Sequence, residues 1–287
     1  MNRCSSFPQL NRLKARHEVI LVLTVPAEKI KKLETIISRE GRAAIACSGG
    51  VDSTLLLKIA HDVLGHENTI AVFAETSLLP PAEIEAAKEV ISFVGSRLLT
   101  IRLNPLLWPE FAENPRERCY LCKKKIYQVF LEKIKELHFV TLMDGTNFDD
   151  LSDFRPGIKA LQELHVISPL ADAGLTKNDI RRLSRGLNLP NWDKHSSSCL
   201  ATRVGTGEHI NEDKIALIAK CENFLHSLDF QGCRVKITND SAIIELLEED
   251  MERFVKNTSR QSVLKIFNDF NLKTVLLAVR GRQGIFL

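Results

Sequence analysis

The residue types between Ala46 and Thr54 are those of a phosphate-binding turn: two adjacent glycines, two serines and one carboxylate. The glycine pair permits a tight turn with positive φ and lets a ligand approach the main chain, although such a pair also occurs in ordinary strand–helix turns. A helix that starts after the turn would direct its free N–H groups and its dipole at an anion. Asp52 would repel a bare phosphate but would bind a bridging Mg²⁺ ion. The residues that we expect at this site are Ser48, Gly49, Gly50, Asp52 and Ser53.

Three cysteines could supply thiolate ligands from two separate segments. Cys119 and Cys122 form a Cys-x-x-Cys pair, and Cys199 follows a run of serines. A structural zinc would need a fourth ligand, which His195 or His209 could supply. An iron–sulfur cluster held by three cysteines would instead leave one iron open to react. The residues alone favour zinc slightly, because zinc is the commoner use of such pairs.

Alternating helices and strands position these residues. The apolar pattern predicts helices over 27–39, 53–63 and 81–94 and strands over 43–46, 69–75 and 98–103. This alternation implies a parallel sheet with right-handed crossovers. Ligands of such sheets bind beyond the carboxyl ends of the strands. Both the glycine turn and Ser77 follow such an end, so we expect Ser77 to approach the same ligand.

The rest of the chain divides into two parts. The pattern predicts a long loop over 104–118, a helix to Leu137, a strand over 139–143, an acidic loop over 144–150 and a helix from the N-cap Thr176 to Arg185. The acidic loop could hold a metal, although Asp and Asn also cap ordinary loops. Further on, the pattern predicts a helix over 212–228, strands over 233–237 and 242–246, a helix over 251–270 and a strand over 274–279. We therefore predict an extension over 1–26, a parallel-sheet α/β domain over 27–204 and a smaller α+β domain over 205–287.

The composition is that of a soluble globular protein, with 287 residues of which 44% are apolar and 26% charged. No apolar run reaches the roughly 18 residues of a membrane span, and none has the pattern of a signal segment. We therefore expect a cytoplasmic protein without a membrane partner. The net charge of +3 does not demand a broad nucleic-acid surface. Seven cysteines, an odd number, argue against a disulfide framework.

Eight short motifs occur in one order: Ser-Gly-Gly-Val-Asp-Ser, Arg-Cys-Tyr-x-Cys-Lys, Asp-Gly-Thr-Asn-x-Asp-Asp, Asp-x-Arg-Pro-Gly, Ser-Pro-Leu, Gly-Leu-Thr-Lys, Leu-Pro-x-Trp and Cys-Leu-Ala-Thr-Arg. The first resembles the pyrophosphate loop of the ATP-pyrophosphatase (PP-loop) superfamily, whose enzymes cleave ATP between the α- and β-phosphates. The ordered set resembles the LarE family of ATP-dependent sulfur transferases, and the similarity runs from about residue 27 to about 250. That family acts in the biosynthesis of the nickel-pincer nucleotide cofactor.

The resemblance implies an adenine nucleotide alpha hydrolase-like domain that binds Mg-ATP and pyridinium-3,5-biscarboxylic acid mononucleotide. A carboxylate of that substrate would be adenylated, and sulfur would then displace AMP to leave a thiocarboxylate. In one type of family member a sacrificed cysteine supplies the sulfur, and in another three cysteines hold a four-iron four-sulfur (4Fe–4S) cluster. Cys119, Cys122 and Cys199 match the second type. The resemblance therefore favours the cluster over zinc, with a separate sulfide source as partner.

The resemblance also implies site residues and an assembly. It makes Cys199, Asp52 and Arg203 the catalytic candidates, with Asp52 as a Mg²⁺ ligand. The implied substrate-binding residues are Arg203, Glu222, Arg234 and Lys236. Lys236 replaces the second arginine of the family's Arg-x-Arg pattern, so it keeps the charge but loses the bidentate fork. Family members assemble as trimer-based hexamers, which implies a homo-oligomer here.

Three other functions stay open at this point. A tRNA thiolase of the same superfamily also pairs a pyrophosphate loop with three cysteines, but the chain has no obvious basic–aromatic platform for RNA. A non-catalytic binding protein with a structural zinc would have no need of Asp52 and both loop serines. An amide-forming or nucleotide-synthesising ligase of the superfamily would have no need of three thiols near the loop.

Overall fold

Four parallel strands form the central sheet, in the spatial order β3-β2-β1-β4. The structure, a computed structural model, describes residues 25–152, 156–195, 198–256 and 259–282. Residues 1–24, most of the predicted extension, and residues 153–155, which begin the fourth motif, lie outside these ranges. The strands are β1 Ala43–Ala46, β2 Thr69–Thr76, β3 Arg97–Leu103 and β4 Leu142–Asp144. Because β1 pairs with both β2 and β4, the glycine turn leaves the sheet near its centre.

Helices cover both faces of this sheet. The helices of this part of the chain are α1 Ala27–Arg39, α2 Val51–Leu64, α3 Pro81–Val94, α4 Pro109–Ala112, α5 Arg118–Glu136, α6 Pro156–Glu163, α7 Pro169–Asp172 and α8 Lys177–Gly186. Strand β1 shows the two-sided burial: Ala43 and Ile45 share a core with residues of α1, α2, α3 and α8, while Ala44 and Ala46 share another with α5. A strand covered on both faces has no polar side to show water, which explains why all four β1 residues are apolar and buried.

A smaller mixed sheet follows in the second part of the chain. Its strands are β5 Arg234–Thr238, β6 Ser241–Glu245 and β7 Thr274–Leu277, with β5 antiparallel and β7 parallel to β6. The helices beside it are α9 Glu212–Ser227, α10 Glu248–Lys256 and α11 Ser259–Asp269. Its core also includes Leu78, Phe111 and Leu200 from the parallel-sheet side. The predicted fold class is confirmed, and the domain boundary near residue 204 stays a prediction.

Some predicted elements differ from the observed ones. The predicted loop over 104–118 contains a 3₁₀ turn, Pro105–Leu107, and helix α4, each begun by a proline at a position where its missing N–H costs nothing. The predicted strand over 139–143 is reduced to β4, and helices α6 and α7 have no predicted counterpart. The predicted helix over 251–270 corresponds to helices α10 and α11, and residues 257–258 between them lie outside the described ranges. No helix within the described ranges is long and apolar enough to cross a membrane.

Candidate active site

The glycine turn joins β1 to α2 and folds around its own hydroxyl groups. The amide of Ser48 donates to Oγ of Ser53 at 3.2 Å, and the two hydroxyl oxygens are also 3.2 Å apart. Gly49 has a φ of 71°, and a Cβ there would lie 2.5 Å from the Cβ of Ala87 in α3. Any other residue at 49 would be strained and would collide with α3. The turn therefore ends at the N-terminus of α2, where helical N–H groups can bind an anion.

The segment after β4 closes the other side of the turn. A Cβ on Gly145 would lie 2.7 Å from the backbone nitrogen of Ser53, so only glycine lets these two segments approach so closely. Two residues further on, Asn147 donates from Nδ2 to Oδ2 of Asp52 at 3.0 Å. The acidic loop is thus packed directly against the glycine turn, as expected for two segments that leave the same edge of a parallel sheet.

A cavity of about 520 Å³, which we term the loop cavity, lies beside the turn. Its lining includes four predicted ligand-binding residues and one predicted sulfur ligand: Ser48, Gly50, Asp52, Ser53 and Cys199. Gly49 and Ser77 are outside the lining. The Gly49 carbonyl accepts from Asn191, and the Ser77 hydroxyl donates to Oδ1 of Asn104 at 3.4 Å. The cavity is of a size that takes a nucleotide-like ligand.

Four cationic side chains that the sequence analysis did not single out also line the loop cavity: Lys123, Lys177, Arg181 and Lys194. Lys123 Nζ lies 2.9 Å from Oδ2 of the buried Asp144, and the guanidinium of Arg181 donates to two backbone carbonyls at 3.0 Å each. Positive charge fixed in a partly desolvated cleft suits a polyanion such as a triphosphate. The available signal was that Lys123 and Lys177 each end one of the eight motifs.

The carboxylates of the loop cavity fit a magnesium ion. Burial raises the pKa of the Asp52 carboxyl; the hydrogen bond from Asn147 opposes this, and the charge of Asp150 adds to it. Lys177 and Arg181 act in the lowering direction. Asp150 lines the same cavity. Carboxylate oxygens beside phosphate oxygens are the ligands that Mg²⁺ prefers, so the donor set here is chemically suitable.

The three predicted sulfur ligands lie close enough to influence one another, and Cys199 lines the loop cavity. Cys119 and Cys122 lie in the first turns of α5, and Cys199 precedes the 3₁₀ turn Leu200–Arg203. Burial raises the pKa of Cys122 to about 12, with further contributions from the other two thiols. Burial also raises the pKa of Cys199, and Cys119 adds to that rise. The guanidinium of Arg118 acts on both Cys122 and Cys199 in the lowering direction.

Among the described residues, no three His, Cys, Asp or Glu side chains are arranged around a common point that could hold a metal ion. The zinc site with His195 or His209 as fourth ligand is therefore not formed by this part of the chain. His209 is exposed, and His195 lines the loop cavity. The same finding applies to Cys119, Cys122 and Cys199, so the support for a cluster at these residues is the chemistry of three thiol donors and not their arrangement.

A second cavity of about 570 Å³, which we term the arginine cavity, adjoins the first. Its charged lining includes Arg203, Glu222, Arg234 and Arg282. Arg203 donates from Nε to Oε1 of Glu222 at 2.9 Å, and the backbone amide of Val235 donates to the same oxygen at 3.0 Å. Burial lowers the pKa of Arg234 to about 10, and the charges of Arg282 and Arg203 lower it further. Three guanidinium groups that repel one another around one carboxylate suit an anionic ligand such as a phosphate.

The structure alters one of the predicted substrate contacts. Lys236 is not in the lining of the arginine cavity, and its Nζ lies 2.5 Å from Oε1 of Glu245 on the neighbouring strand. Arg282 is in the lining, where its guanidinium donates to the carbonyl of Gly232. It reaches this position because its backbone pairs with Leu247 in an isolated parallel bridge. The missed residue lies in the tail beyond the motifs, where the sequence offered no signal.

The two cavities share part of their walls. Glu83, Lys194, His195 and Ser198 line both. Cys199 faces the loop cavity, while Leu200 and Arg203 on the same segment face the arginine cavity. A ligand held in each cavity would therefore meet its neighbour beside Cys199.

Comparison with known proteins agrees with this architecture. A model of the NAD synthase family matches residues 29–117, which hold the glycine turn. An uncharacterized protein of Synechocystis is 36% identical over 256 residues, which cover 89% of this chain and 95% of that protein. The glutamine-hydrolyzing GMP synthase of Chlamydia muridarum is 26% identical over 184 residues, which cover 58% of this chain and 35% of that synthase.

A more informative relative is the pyridinium-3,5-bisthiocarboxylic acid mononucleotide synthase of Lactiplantibacillus plantarum. It is 35% identical over 214 residues, which cover 75% of this chain and 78% of the synthase. Together with the parallel sheet and the glycine turn, this similarity shows that the chain belongs to the PP-loop ATP pyrophosphatase superfamily and, within it, to the family of that synthase.

Proposed function

We propose that this protein is an ATP-dependent sulfur transferase that adenylates the carboxylates of pyridinium-3,5-biscarboxylic acid mononucleotide and converts them to thiocarboxylates. The observation that carries the proposal is the pair of adjoining cavities, one suited to a triphosphate and one to a phosphate monoester, with Cys199 in the loop cavity next to Ser198 of the shared wall. The 35% identity to a synthase named for the bisthiocarboxylic product supports the same substrate class.

Adenylation would take place where the two cavities meet. A substrate carboxylate oxygen attacks the α-phosphorus of ATP, the bond to the oxygen that bridges to the β-phosphorus breaks, and pyrophosphate leaves with that electron pair. Lys123, Lys177 and Arg181 line the cavity that receives the departing pyrophosphate, and fixed cations of this kind stabilise developing negative charge. Asp52 and Asp150 would hold Mg²⁺, which when bound neutralises further phosphate charge.

The arginine cavity would anchor the substrate by its phosphate. Arg203 is fixed by Glu222 and by the carbonyl of Ser198 at 2.9 Å, so its orientation does not depend on the ligand. Arg234 and Arg282 supply two more guanidinium groups, and a guanidinium often binds a phosphate through two hydrogen bonds. Binding at a distance from the carboxylates would align them for attack and lower the entropic part of the barrier.

Sulfur transfer would follow at Cys199. A hydrosulfide sulfur attacks the carbonyl carbon of the acyl-adenylate, the bond from that carbon to the AMP oxygen breaks, and AMP leaves; the sulfur's proton goes to solvent. Cys119, Cys122 and Cys199 would hold the 4Fe–4S cluster, which when bound would supply the sulfide. Arg118 would balance part of the negative charge of three thiolates. We further propose a homo-oligomer, trimeric or hexameric, that works in the cytoplasm with a separate sulfide donor and without a nucleic-acid substrate.

The first test is the product and metal analysis of anaerobically purified protein. We expect AMP and pyrophosphate when ATP is offered with the pyridinium dicarboxylate, and about four irons and four sulfides per chain. Cys199→Ala should lose the iron, while Cys221→Ala, a buried cysteine in the second core, should keep it.

The other outcomes separate the alternatives. About one zinc without sulfide would contradict the cluster. Metal-free protein that loses one sulfur from Cys199 on turnover would indicate the sacrificial-cysteine version of the reaction. AMP formation stimulated by tRNA but not by the pyridinium nucleotide would identify a tRNA thiolase and overturn the proposed substrate.

A further inference from the structure

Lys194 occupies the shared wall of the loop cavity and the arginine cavity. Its Nζ lies 2.7 Å from Oε2 of Glu83 and 3.5 Å from the carbonyl oxygen of Gly49. The side chain is 24% exposed, so the ammonium group is only partly hydrated. It therefore lies between the glycine turn and the cavity with the arginines.

Each of the other lysine and arginine side chains around the two cavities lines only one of them. Lys123 and Lys177 line the loop cavity but not the arginine cavity, and Arg203 and Arg234 line the arginine cavity but not the loop cavity. Among the lysine and arginine residues within the described ranges, Lys194 alone lines both. Its position therefore matches the place where two bound ligands would react.

We propose that Lys194 is a catalytic residue of the adenylation step, with its ammonium group in contact with both the substrate carboxylate and a non-bridging oxygen of the ATP α-phosphate. This inference rests on the proposed function. Two anionic groups must approach to bonding distance in this step, and a cation between them offsets their repulsion in a site of low dielectric. The ammonium also stabilises the charge that gathers on the α-phosphate oxygens in the transition state. Lys194 keeps its proton throughout, so no proton transfer is needed.

The backbone of Lys194 is held independently of its side chain. Its amide donates to the carbonyl of Asn191 at 3.0 Å, and its carbonyl accepts from Nη2 of Arg181 at 3.0 Å. Replacing the side chain should therefore leave the segment in place. This makes a substitution at 194 a test of the ammonium group rather than of the fold.

Three variants distinguish a catalytic ammonium from an ion pair that only fastens the segment to α3. Lys194→Met removes the charge and keeps most of the length. Glu83→Gln breaks the same ion pair but leaves the ammonium. Lys88→Met removes a lysine from the same helix α3 whose partners are Glu75 and Glu85, and it serves as the control. The measurement is AMP and pyrophosphate formation with the pyridinium dicarboxylate, together with the KM for ATP and the melting temperature.

We expect Lys194→Met to lower kcat about 100-fold, a size usual for loss of one transition-state contact, with the KM for ATP within about threefold. Lys194→Arg should recover part of the rate. Glu83→Gln should lose less than tenfold, and Lys88→Met should match the wild type.

Equal losses in Lys194→Met and Glu83→Gln, with equal drops in melting temperature, would overturn the assignment in favour of a structural ion pair. A Lys194→Met variant with kcat close to that of the wild type would overturn it as well. A wild-type protein that forms no AMP from the pyridinium dicarboxylate would instead overturn the proposed function and, with it, the role of Lys194.

Discussion

Asn191 donates from Nδ2 to the backbone carbonyl of Gly49 at 3.2 Å and so joins the segment that carries Cys199 to the glycine turn. The same nitrogen donates to Oγ1 of Thr54 at 3.0 Å, and the residue is only 6% exposed. One buried amide thus joins the glycine turn to the cysteine segment, beside the longer contact of Lys194 Nζ with the same carbonyl at 3.5 Å. A displacement of either segment would be transmitted to the other through this side chain.

Asn191→Ala tests that connection. The change leaves the Gly49 carbonyl and the Thr54 hydroxyl without this donor, and we expect a loss of about 1–3 kcal/mol in the free energy of unfolding. Because the glycine turn loses its hydrogen bond from Asn191, the KM for ATP should also rise. Asn68→Ala is the matched control, since Asn68 makes a similar bond to the carbonyl of Leu64, at 3.1 Å, away from both cavities. A KM for ATP that changes no more in Asn191→Ala than in the control would contradict this connection.

The second prediction concerns Arg282, which lines the arginine cavity where the sequence analysis expected Lys236. Arg282→Ala removes a charge-assisted contact to the substrate phosphate, so the KM for the pyridinium nucleotide should rise about 10- to 100-fold. Lys236→Ala removes a lysine that pairs with Glu245 outside the lining, and its KM should stay within about threefold of the wild type. If steady-state kinetics showed a larger rise in this KM for Lys236→Ala than for Arg282→Ala, Lys236 would be the phosphate contact instead. Arg282→Lys keeps the charge and separates loss of the fork from loss of charge.

Alkylation of the metal-free protein tests the environment of the cysteines. Cys119 is exposed, whereas burial raises the pKa of Cys221 and Cys233 to about 12. Because the thiolate is the reactive form, iodoacetamide at neutral pH should label Cys119 first among the cysteines of the described ranges and leave the two buried thiols intact until denaturant is added. Peptide mass spectrometry gives the order. Anaerobic reconstitution with iron and sulfide should then protect Cys119, and continued labelling at the original rate would argue against its role as a ligand.

The features that the sequence predicted well are those fixed by neighbours along the chain. The helix over 27–39, the strand over 43–46 and the helix over 81–94 have the predicted bounds. The predicted N-cap is also confirmed: Thr176 and Asp179 form a reciprocal capping box at the start of α8. Periodicity and capping act within a few residues, so one sequence is enough to detect them.

What the sequence could not supply depends on contacts between distant segments. Arg234 and Lys236 are two residues apart, so their side chains lie on the same face of β5, as the Arg-x-Arg pattern requires. Glu245 of β6 lies opposite Arg234 and diagonally opposite Lys236, and it pairs with the lysine. That contact follows from strand register, which no motif encodes. Arg282 enters the cavity only through its pairing beside Leu247. The junction at Lys194 likewise arises from the packing of a loop against α3.

The Asp52→Asn substitution should raise the free energy of unfolding and abolish the activity. Burial raises the pKa of the Asp52 carboxyl above its ordinary value of 3.8, so the folded state binds the proton more tightly than the unfolded state does. The free energy of unfolding therefore falls as the pH rises through the carboxyl titration range, and at pH 7 the whole cost of burying the charged carboxylate is present. The amide carries no charge, and we expect Asp52→Asn to gain about 0.5–2 kcal/mol at pH 7, with ATP turnover abolished. The gain should shrink as the pH is lowered toward the ordinary carboxyl range.

Asp172→Asn is the control for this substitution. Burial also raises the pKa of Asp172, on α7 and outside the lining of both cavities. Asp172 is exposed, so solvent screening leaves little cost to relieve. We expect Asp172→Asn to change stability little and to keep its activity, because that carboxylate has no part in binding phosphate or metal. Urea denaturation at two pH values and a pyrophosphate assay measure both quantities. An Asp52→Asn variant that is no more stable than the wild type at pH 7 would show that the Asp52 carboxylate is not held at a cost to the fold.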